Sequence, residues 1–371
     1  MNLLRAYKTE LDPNNKQKSW FVQCSGASRF VFNWALADRQ HRHADGLSTS
    51  QYGQCKRFNA LKREQCPWIV NLPYAIGESA FANCDSAFKH FFRRVKAGET
   101  PGYPKFKSRF KTKKSFQLRD TRIERNRVRL TGIGWVRLKE CNYIPCTGTE
   151  GCSFGNYATI SERAGRWYIS VLVEQEIAEP ENESTLVIGI DFGIKTLAVL
   201  SNGETFENPH PLRQAQAKLA RLNRELARRV KGSANREKTK IKLQRAHADI
   251  ANIRRHTLHN ISHRVTAELR PARIVIEDLS PSNMVKLHTL AQAVSDVGFY
   301  ELRRQIEYKA QQYGIEVIVA DRWYASSKTC SGCGWKNDNL TLADRVFHCP
   351  ECGLELDRDL NAALNLAGLA A

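Results

Sequence analysis

Three acidic residues that are far apart along the chain stand beside short apolar stretches. Asp191 and Glu277 each close a stretch typical of a buried strand, and Asp359 stands at the start of a predicted helix. Acids at the ends of buried strands lie in a crevice at the edge of the sheet. Carboxylates that converge there suit two Mg²⁺ ions roughly 3.5–4 Å apart, an arrangement that cleaves phosphodiesters. Each acid alone is more typical of a helix cap or a turn, so the prediction of a metal-dependent nuclease rests on the combination.

Four cysteines form two Cys-x-x-Cys pairs with fifteen residues between them. The pairs are Cys330 with Cys333 and Cys349 with Cys352, and a glycine follows each pair. This spacing is typical of a four-thiolate zinc site. Because four protein ligands leave no open coordination position, we expect the zinc to be structural. The adjacent His348 is not expected to be a ligand.

The other cysteines are scattered. Cys141, Cys146 and Cys152 are close in sequence, but they form no Cys-x-x-Cys pair and have no clear fourth ligand. A second metal site there stays open as an alternative. Ordinary buried or free thiols are the favoured interpretation.

The chain is strongly basic. Its 57 Lys and Arg residues against 38 Asp and Glu residues give a formal net charge of +19. An excess of this size indicates a polyanionic partner, because each neutralised phosphate releases counterions. A simply basic protein of the ribosomal type is the alternative. Neither end shows the strongly amphipathic basic helix of a membrane-surface protein.

The start of the chain lacks the apolar run of a signal peptide, and the sequence has no apolar stretch long enough to span a bilayer. We therefore expect a cytoplasmic protein. In that reducing compartment the 11 cysteines should not form disulfides.

Two stretches concentrate the positive charge. Residues 93–129 carry fourteen Lys or Arg against three acids, with three phenylalanines interleaved, and residues 211–258 also carry fourteen against three. Alternating basic and aromatic residues suit a groove that follows a nucleic-acid backbone. A solvated basic loop is the alternative for the first stretch. The predicted nucleic-acid contacts are Lys105, Lys107, Arg109, Lys111, Lys113, Lys114, Arg236, Lys238, Lys240, Lys242, Arg254 and Arg255.

The elements that must position these residues differ between the two halves. The first half shows strand patterns at 2–11, 127–130, 135–138 and 166–173, and helical patterns at 28–40 and 75–95. This order predicts a β-barrel or sheet interrupted by a helical insertion. The acidic stretch 174–183 predicts a linker and a domain boundary.

The second half alternates strands and helices. Strand patterns lie at 186–190, 196–200, 272–276 and 315–320, and helical patterns lie at 212–269, with a break near 232–233, and at 299–313. This alternation predicts a mixed α/β sheet with helices on its faces. Gly193, just after Asp191, is expected to allow a close backbone approach to a ligand.

Several motifs resemble those of one known family. Residues 188–193 (IGIDFG), 276–279 (IEDL) and 357–363 (DRDLNAA) are similar to the three RuvC motifs of TnpB, a family of transposon-encoded RNA-guided nucleases related to type V CRISPR effectors. The cysteine pairs match that family too. Further matches are DRWYASSKTC at 321–330, the basic helix 236–255, GYPKFK at 102–107 and RFVFNWAL at 29–36. The resemblance covers nearly the whole chain.

The resemblance implies a fold of class α/β plus β. It consists of an RNase H-like (RuvC) nuclease domain with an inserted zinc ribbon, preceded by a β-barrel with a helical insertion. The implied domains are the barrel over 1–12 and 110–180, the helical recognition insertion over 13–109, the nuclease domain over 185–328 and 354–371, and the ribbon over 329–353.

The resemblance also implies an activity, namely Mg²⁺-dependent endonucleolytic cleavage. Its catalytic and Mg²⁺-binding residues correspond to Asp191, Glu277 and Asp359, the second acid of Asp-Arg-Asp, in preference to Asp357. The implied partners are a guide RNA transcribed from the transposon end and double-stranded DNA next to a short motif read by the protein. Base pairing supplies most of the specificity in such systems. We expect a monomer on its RNA, located in the cytoplasm of a prokaryote and associated with the nucleoid when it is bound to DNA.

Two other functions stay open from the sequence. One is a nucleic-acid-binding regulator on the same fold, without cleavage, which predicts that one or more motif acids are missing. All three positions hold acids here. The other is a transposase that uses the carboxylates for strand transfer, which two-metal chemistry permits. The resemblance favours a nuclease over both.

Overall fold

The computed structural model describes residues 2–341 and 343–370. The chain divides into two compact units, Met1–Ile177 and Ala178–Ala371. The division falls inside the acidic stretch 174–183, and each unit has its own apolar core. Within the described ranges, no helix combines the length and the apolar character needed to cross a membrane.

An eight-stranded antiparallel sheet forms the framework of the first unit. Its strands are β1 (Asn2–Asp12), β2 (Ser115–Leu118), β3 (Arg122–Glu124), β4 (Arg127–Leu130), β5 (Gly134–Leu138), β6 (Cys152–Phe154), β7 (Ala158–Arg163) and β8 (Arg166–Glu176). They pair in the order β2-β7-β8-β1-β5-β4-β3, with β6 beside β8. In the described part of the chain the end strands β2 and β3 are short and do not pair with each other, so the predicted barrel is not supported.

The helices of this unit are α1 (Asn15–Ala44), α2 (Gln51–Gln65), α3 (Pro67–Val70) and α4 (Tyr74–Lys96). A capping box between Asn14 and Gln17 fixes the start of α1. The first turns of α1 bury Phe21 against Phe116 and Trp167 of the sheet. Phe116, one of the interleaved phenylalanines of the basic stretch, is therefore a core residue rather than a stacking platform.

A five-stranded mixed sheet organises the second unit. Its strands are β9 (Val187–Asp191), β10 (Thr196–Leu200), β11 (Thr205–Glu207), β12 (Arg273–Glu277) and β13 (Glu316–Ala320), paired in the order β11-β10-β9-β12-β13. Strands β9, β12 and β13 are parallel, whereas β10 and β11 are antiparallel to their neighbours. The alternation predicted for this half is thus confirmed, and the central strands are buried as expected for a sheet covered by helices.

Six helices and a hairpin complete this unit in its described part. The helices are α5 (Pro211–Arg228), α6 (Ala234–His263), α7 (Pro281–Met284), α8 (His288–Val297), α9 (Phe299–Gln312) and α10 (Arg358–Gly368). Helix α6 continues as a π-helical turn over Arg264–Glu268. The hairpin consists of β14 (Val346–His348) and β15 (Glu355–Asp357). Helices α5 and α6 pack together through Leu219, Leu222, Ala246 and Ile250. The predicted break near 232–233 is the turn between them.

Candidate active site and metal centre

The sheet brings two of the predicted acids side by side. Asp191 is the last residue of β9 and Glu277 is the last residue of β12. These strands are parallel neighbours in which Ile190 pairs with Ile276, so the next residue of each strand emerges at the same edge. Both side chains are partly buried. The sheet register alone therefore creates an acidic pair.

The third acid arrives on a helix. Asp359 lies in the first turn of α10, which packs on β9 and β10. A Cβ atom on Gly189, in the middle of β9, would lie 2.0 Å from the carbonyl oxygen of Ala363, so the helix and strand backbones meet directly. This close packing places Asp359 near enough to Asp191 to influence its charge state.

The three carboxylates are close enough to influence one another electrostatically. Burial, followed by the negative charges of Glu277 and Asp359, raises the pKa of Asp191 well above its usual range. Burial also raises the pKa of Glu277, and Asp359 adds to that rise, whereas a hydrogen bond from Ser326 opposes it. Such a concentration of like charges is stabilised by bound cations.

Asp357 has a different task from Asp359. It is exposed, and its side chain accepts hydrogen bonds from the backbone N–H groups of Asp359 and Leu360, at 2.9 and 3.0 Å. Asp357 is therefore the N-cap of α10. The geometry agrees with the choice of Asp359 as the third acid of the cluster.

The side chains that fix the acids were not found from the sequence. Ser326 donates a hydrogen bond from its hydroxyl to Oε1 of Glu277 at 2.8 Å. Arg358 lies 3.0 Å from one carboxylate oxygen of Asp359, and Arg345 lies 4.0 Å from the other. In the sequence, only their positions could have drawn attention to these residues. Arg358 stands inside Asp-Arg-Asp, and Ser326 stands four residues before the first cysteine pair. Neither residue type reveals its partner without the fold.

Gly193 lies in the turn that follows Asp191. A Cβ atom there would lie 2.5 Å from the carbonyl oxygen of Thr196, in the turn that connects β9 to β10. The absence of a side chain at Gly193 therefore permits a tight backbone turn here. The expected close approach of this backbone to a ligand stays a prediction.

The four predicted thiols form a second centre. The sulfur atoms of Cys330, Cys333, Cys349 and Cys352 all lie within 4.8 Å of one another. Two of the separations are 3.6 Å, between Cys330 and Cys352, and 3.5 Å, between Cys333 and Cys349. A tetrahedral ion with bonds of about 2.3 Å to sulfur requires separations of about 3.8 Å. The residues present fit Zn²⁺.

The two cysteine turns repeat the same backbone pattern. The N–H of Gly334 donates to the carbonyl of Cys330 at 2.9 Å, and the N–H of Gly353 donates to the carbonyl of Cys349 at 3.0 Å. Both glycines have positive φ, 81° and 73°, which favours glycine. His348 is exposed and lies near Glu355, outside the sulfur cluster.

The acids and the thiols differ in how tightly their ligand atoms are grouped. Among the described residues, only the thiols provide three or more ligand atoms that all lie within 4.8 Å of one another. The carboxylates interact electrostatically but are spread more widely. Their oxygen ligands suit Mg²⁺, which prefers hard oxygen donors and retains several waters.

The predicted nucleic-acid contacts fall into two groups. Most are exposed: Lys105, Arg109, Lys111, Lys113 and Lys114 lie in or beside the irregular segment between α4 and β2, and Lys238, Lys242 and Arg255 lie on α6, where Lys240 is partly exposed. Lys114 and Lys240 also have acidic neighbours, Glu162 and Glu237. Phe106 and Phe110 are exposed as well. These groups are accessible to a polyanion.

The remaining three contribute to the fold itself. Arg236 donates to the carbonyls of Leu226 and Arg229 at the end of α5. Arg254 is ion-paired with the buried Asp296 at 2.6 Å. Lys107 lies over the ring of Phe32 at 3.6 Å, and burial lowers the pKa of its ammonium group. Their charges already have intramolecular partners.

Comparison with solved structures shows which known proteins share this fold. The chain matches the protein in the structure of a Cas12f1–sgRNA–target DNA complex with a TM-score of 0.56 at 15% identity, over 95% of this chain and 83% of that one. It matches the mini-RNA-guided endonuclease CRISPR-Cas phi3 with a TM-score of 0.50 at 10% identity, over 100% and 92%. The chain therefore shares the fold of these two proteins.

Sequence comparison narrows the class to a family. A protein of Streptomyces pristinaespiralis named "Putative RNA-guided DNA endonuclease" is 34% identical over 99% of this chain and 90% of its own length. InsQ of Escherichia coli K12, named in the same way, is 34% identical over 99% and 92%. The chain belongs to this TnpB family of endonuclease-like proteins.

Three family models agree with that placement. The OrfB_IS605 model, described as "Probable transposase", matches residues 168–288, and its companion, described as "Helix-turn-helix domain", matches residues 1–47. A model described as "Cas12f1-like, TNB domain" matches residues 299–366. That last range contains all four clustered cysteines and Asp359, so a single family model covers the third acid and the thiol cluster.

Proposed function

We propose that this chain is an RNA-guided, Mg²⁺-dependent endonuclease that cleaves double-stranded DNA matched to its guide and flanked by a short motif read by the protein. The observation that carries the proposal is that β9, β12 and α10 bring Asp191, Glu277 and Asp359 together, so that burial and then the charges of Glu277 and Asp359 raise the pKa of Asp191. The names of the relatives support both the RNA guide and the DNA substrate.

The proposed catalytic role of the three acids is to hold two Mg²⁺ ions. When bound, the ions activate the attacking water and stabilise the leaving oxygen. The protein supplies the arrangement of the ligands. Ser326 fixes one oxygen of Glu277, while Arg358 and Arg345 hold Asp359 from its two sides. Partial burial of the acids limits the bulk water that competes for the ions.

The proposed domain organisation keeps the sequence-derived boundaries. A strand-rich domain comprises residues 1–12 and 110–180, with a helical recognition insertion at 13–109. The nuclease domain comprises 185–328 and 354–371, with a structural zinc ribbon at 329–353. The exposed basic residues of the segment before β2 and of α6 are proposed to contact guide or heteroduplex phosphates, with the protein as a monomer on its RNA.

The test begins with the chain expressed together with its native flanking DNA. RNA that co-purifies is sequenced, and the complex is given a plasmid library randomised beside a guide match, with and without Mg²⁺. We expect cleavage only with Mg²⁺, and its loss in Asp191→Ala, Glu277→Ala and Asp359→Ala. Glu316→Ala is the matched control, because Glu316 is the first residue of β13 and lies at the opposite end of the strands from Asp191 and Glu277.

The possible outcomes separate the three functions. Cleavage that survives Asp191→Ala or Glu277→Ala contradicts the proposed site. Bound RNA and target binding with no cleavage by the unmodified protein support a regulator. Joined rather than cut DNA ends support a transposase.

A further inference from the structure

A network of buried polar side chains joins the cysteine pairs to the acidic cluster. Ser326, Asn361 and Asn365 are all buried. Polar groups in such positions are costly unless they are hydrogen-bonded. Each of the three is hydrogen-bonded, and their partners lie on the strand, loop and helix that carry the two centres.

Ser326 connects the loop before Cys330 with Glu277. Its hydroxyl donates to Oε1 of Glu277 at 2.8 Å, and its backbone carbonyl accepts from Nδ2 of Asn365 at 2.7 Å. Asn365 belongs to α10, the helix that carries Asp359. One serine therefore contacts the second acid directly and is itself held by the helix of the third.

Asn361 holds the residues on either side of Cys330. Its Nδ2 donates to the carbonyl of Thr329 at 2.7 Å, and its Oδ1 accepts from the N–H of Ser331 at 3.0 Å. Asn365 donates to the same Thr329 carbonyl at 2.6 Å. Asn361 and Asn365 are four residues apart and thus on one face of α10. This face of α10 is therefore hydrogen-bonded to the first cysteine turn.

The second cysteine turn is attached to α10 by the backbone. Val346 of β14 pairs with Asp357 of β15, and the N–H of Arg358 donates to the carbonyl of Arg345 at 2.9 Å. The helix therefore begins directly at the end of this hairpin. Both cysteine turns are fastened to the helix of Asp359, one through side chains and one through the hairpin.

We propose that Ser326, Asn361 and Asn365 are positioning residues that make the Mg²⁺ affinity of the acidic cluster depend on the zinc-bound fold of the cysteine pairs. The inference rests on the proposed function. With zinc in place, the loop 326–331 is fixed and the Ser326 hydroxyl orients Glu277. Without zinc, the loop loses its anchor at Cys330, and Glu277 loses its partner.

The first experiment removes the hydroxyl. Replacing a residue that hydrogen-bonds to a metal ligand typically lowers metal affinity or activity by about 10–100-fold. In the guide-RNA complex, Ser326→Ala is expected to raise the Mg²⁺ concentration for half-maximal cleavage by a factor in that range, and to weaken Mn²⁺ binding, measured by electron paramagnetic resonance, by a similar factor. Zinc content and target-DNA affinity should stay unchanged. Ser326→Thr, which retains the hydroxyl, should recover most of the loss.

The neighbouring Ser327 provides the matched control. Its side chain makes no hydrogen bond within the part of the chain that the structure describes, so Ser327→Ala should leave both titrations unchanged. A Ser326→Ala protein with unmodified Mg²⁺ and Mn²⁺ titrations overturns the proposal. So does a Ser326→Thr protein as impaired as Ser326→Ala, because packing rather than the hydroxyl would then be responsible.

A second experiment tests the link to zinc. Cys352→Ser, which removes one zinc ligand, should raise the Mg²⁺ requirement as Ser326→Ala does, and the double variant should show far less than the product of the two effects. Asn365→Leu should behave in the same way and serves if the cysteine variant does not fold. If the effects of the two substitutions on the Mg²⁺ requirement multiply in the double variant, the proposed coupling is wrong. If the unmodified complex cleaves nothing, the proposed function fails, while the Mn²⁺ titrations still decide the positioning role.

Discussion

Gly189 and Ala363 bring the two elements of the acidic cluster into backbone contact. A Cβ atom on Gly189 would lie 2.0 Å from the carbonyl oxygen of Ala363 and 2.5 Å from the backbone nitrogen of Ala367. Backbone atoms cannot rotate aside as a flexible side chain does. The missing side chain at Gly189 therefore sets the distance between β9, with Asp191, and α10, with Asp359.

Gly189→Ala is expected to push α10 away from the sheet. Overpacking of a core typically costs about 1–3 kcal/mol, and contact with backbone atoms places this variant at the upper end of that range. We expect a lower melting temperature by calorimetry and a loss of cleavage through displacement of Asp359. Gly368→Ala is the control on the same helix, because a Cβ atom there has no neighbour within 4 Å. Equal stability of the two variants would contradict the packing argument.

Substitutions of Asp359 and Asp357 should have different effects, the first on cleavage and the second on the stability of helix α10. Asp359→Asn is expected to abolish Mg²⁺-dependent cleavage without loss of target binding, because it removes one carboxylate from the cluster. Asp357→Ala removes the cap of α10 and should cost about 1 kcal/mol of stability. Cleavage rates and melting temperatures of both proteins give the comparison. Loss of cleavage in Asp357→Ala at full stability would reverse the assignment.

The sequence was sufficient for the strands that carry the acids and for the four cysteines that the fold brings together. Apolar runs ending in Asp191 and Glu277 mark buried strands, and paired Cys-x-x-Cys turns have few other uses. The preference for Asp359 over Asp357 came from the family resemblance. The cap geometry adds a physical reason, because Oδ1 of Asp357 is already used by the N–H groups of Asp359 and Leu360.

Other features depend on contacts that the sequence does not encode locally. Phe116 and Lys107 lie in a basic stretch that resembles an exposed groove, yet tertiary packing buries the first and half-buries the second. Ser326 becomes a partner of Glu277 only because strands β12 and β13 are neighbours. The barrel was expected from the order of the strand and helix patterns and from the family resemblance, but closure requires pairing between the end strands, and the described strands β2 and β3 do not pair.

The zinc content of the purified protein tests how many zinc sites the chain has. We expect one zinc ion per chain by elemental analysis, lost on substitution of Cys333 or Cys349, because only the predicted thiols are grouped within ligand distance in the described residues. Replacing Cys141, Cys146 and Cys152 together by serine should leave the zinc content unchanged. A second equivalent of zinc that disappears in this triple variant would instead establish a site in that loop.

Arg254 should be a stability residue rather than a contact to nucleic acid. Its guanidinium donates to the carboxylate of Asp296 at 2.6 Å and to the Asp296 backbone carbonyl at 2.7 Å. Asp296 is buried and also accepts from the N–H of Leu212 in the first turn of α5. Removing one partner of a buried pair typically costs about 3–5 kcal/mol. Because Arg254 is partly exposed, we expect Arg254→Ala to cost less than this, with a clearly lower melting temperature.

The exposed cations of α6 should instead control the salt dependence of RNA binding. Lys238, Lys242 and Arg255 are exposed, and each phosphate contact to a single strand contributes about 0.7 to the slope of log affinity against log salt concentration. Replacing all three by glutamine should therefore reduce that slope by about 2 if each contacts one phosphate, with little change in melting temperature. Arg254→Ala gives the opposite pattern, a lower melting temperature with an unchanged slope. A triple variant that binds RNA with the slope of the unmodified protein would remove α6 from the proposed RNA-binding surface.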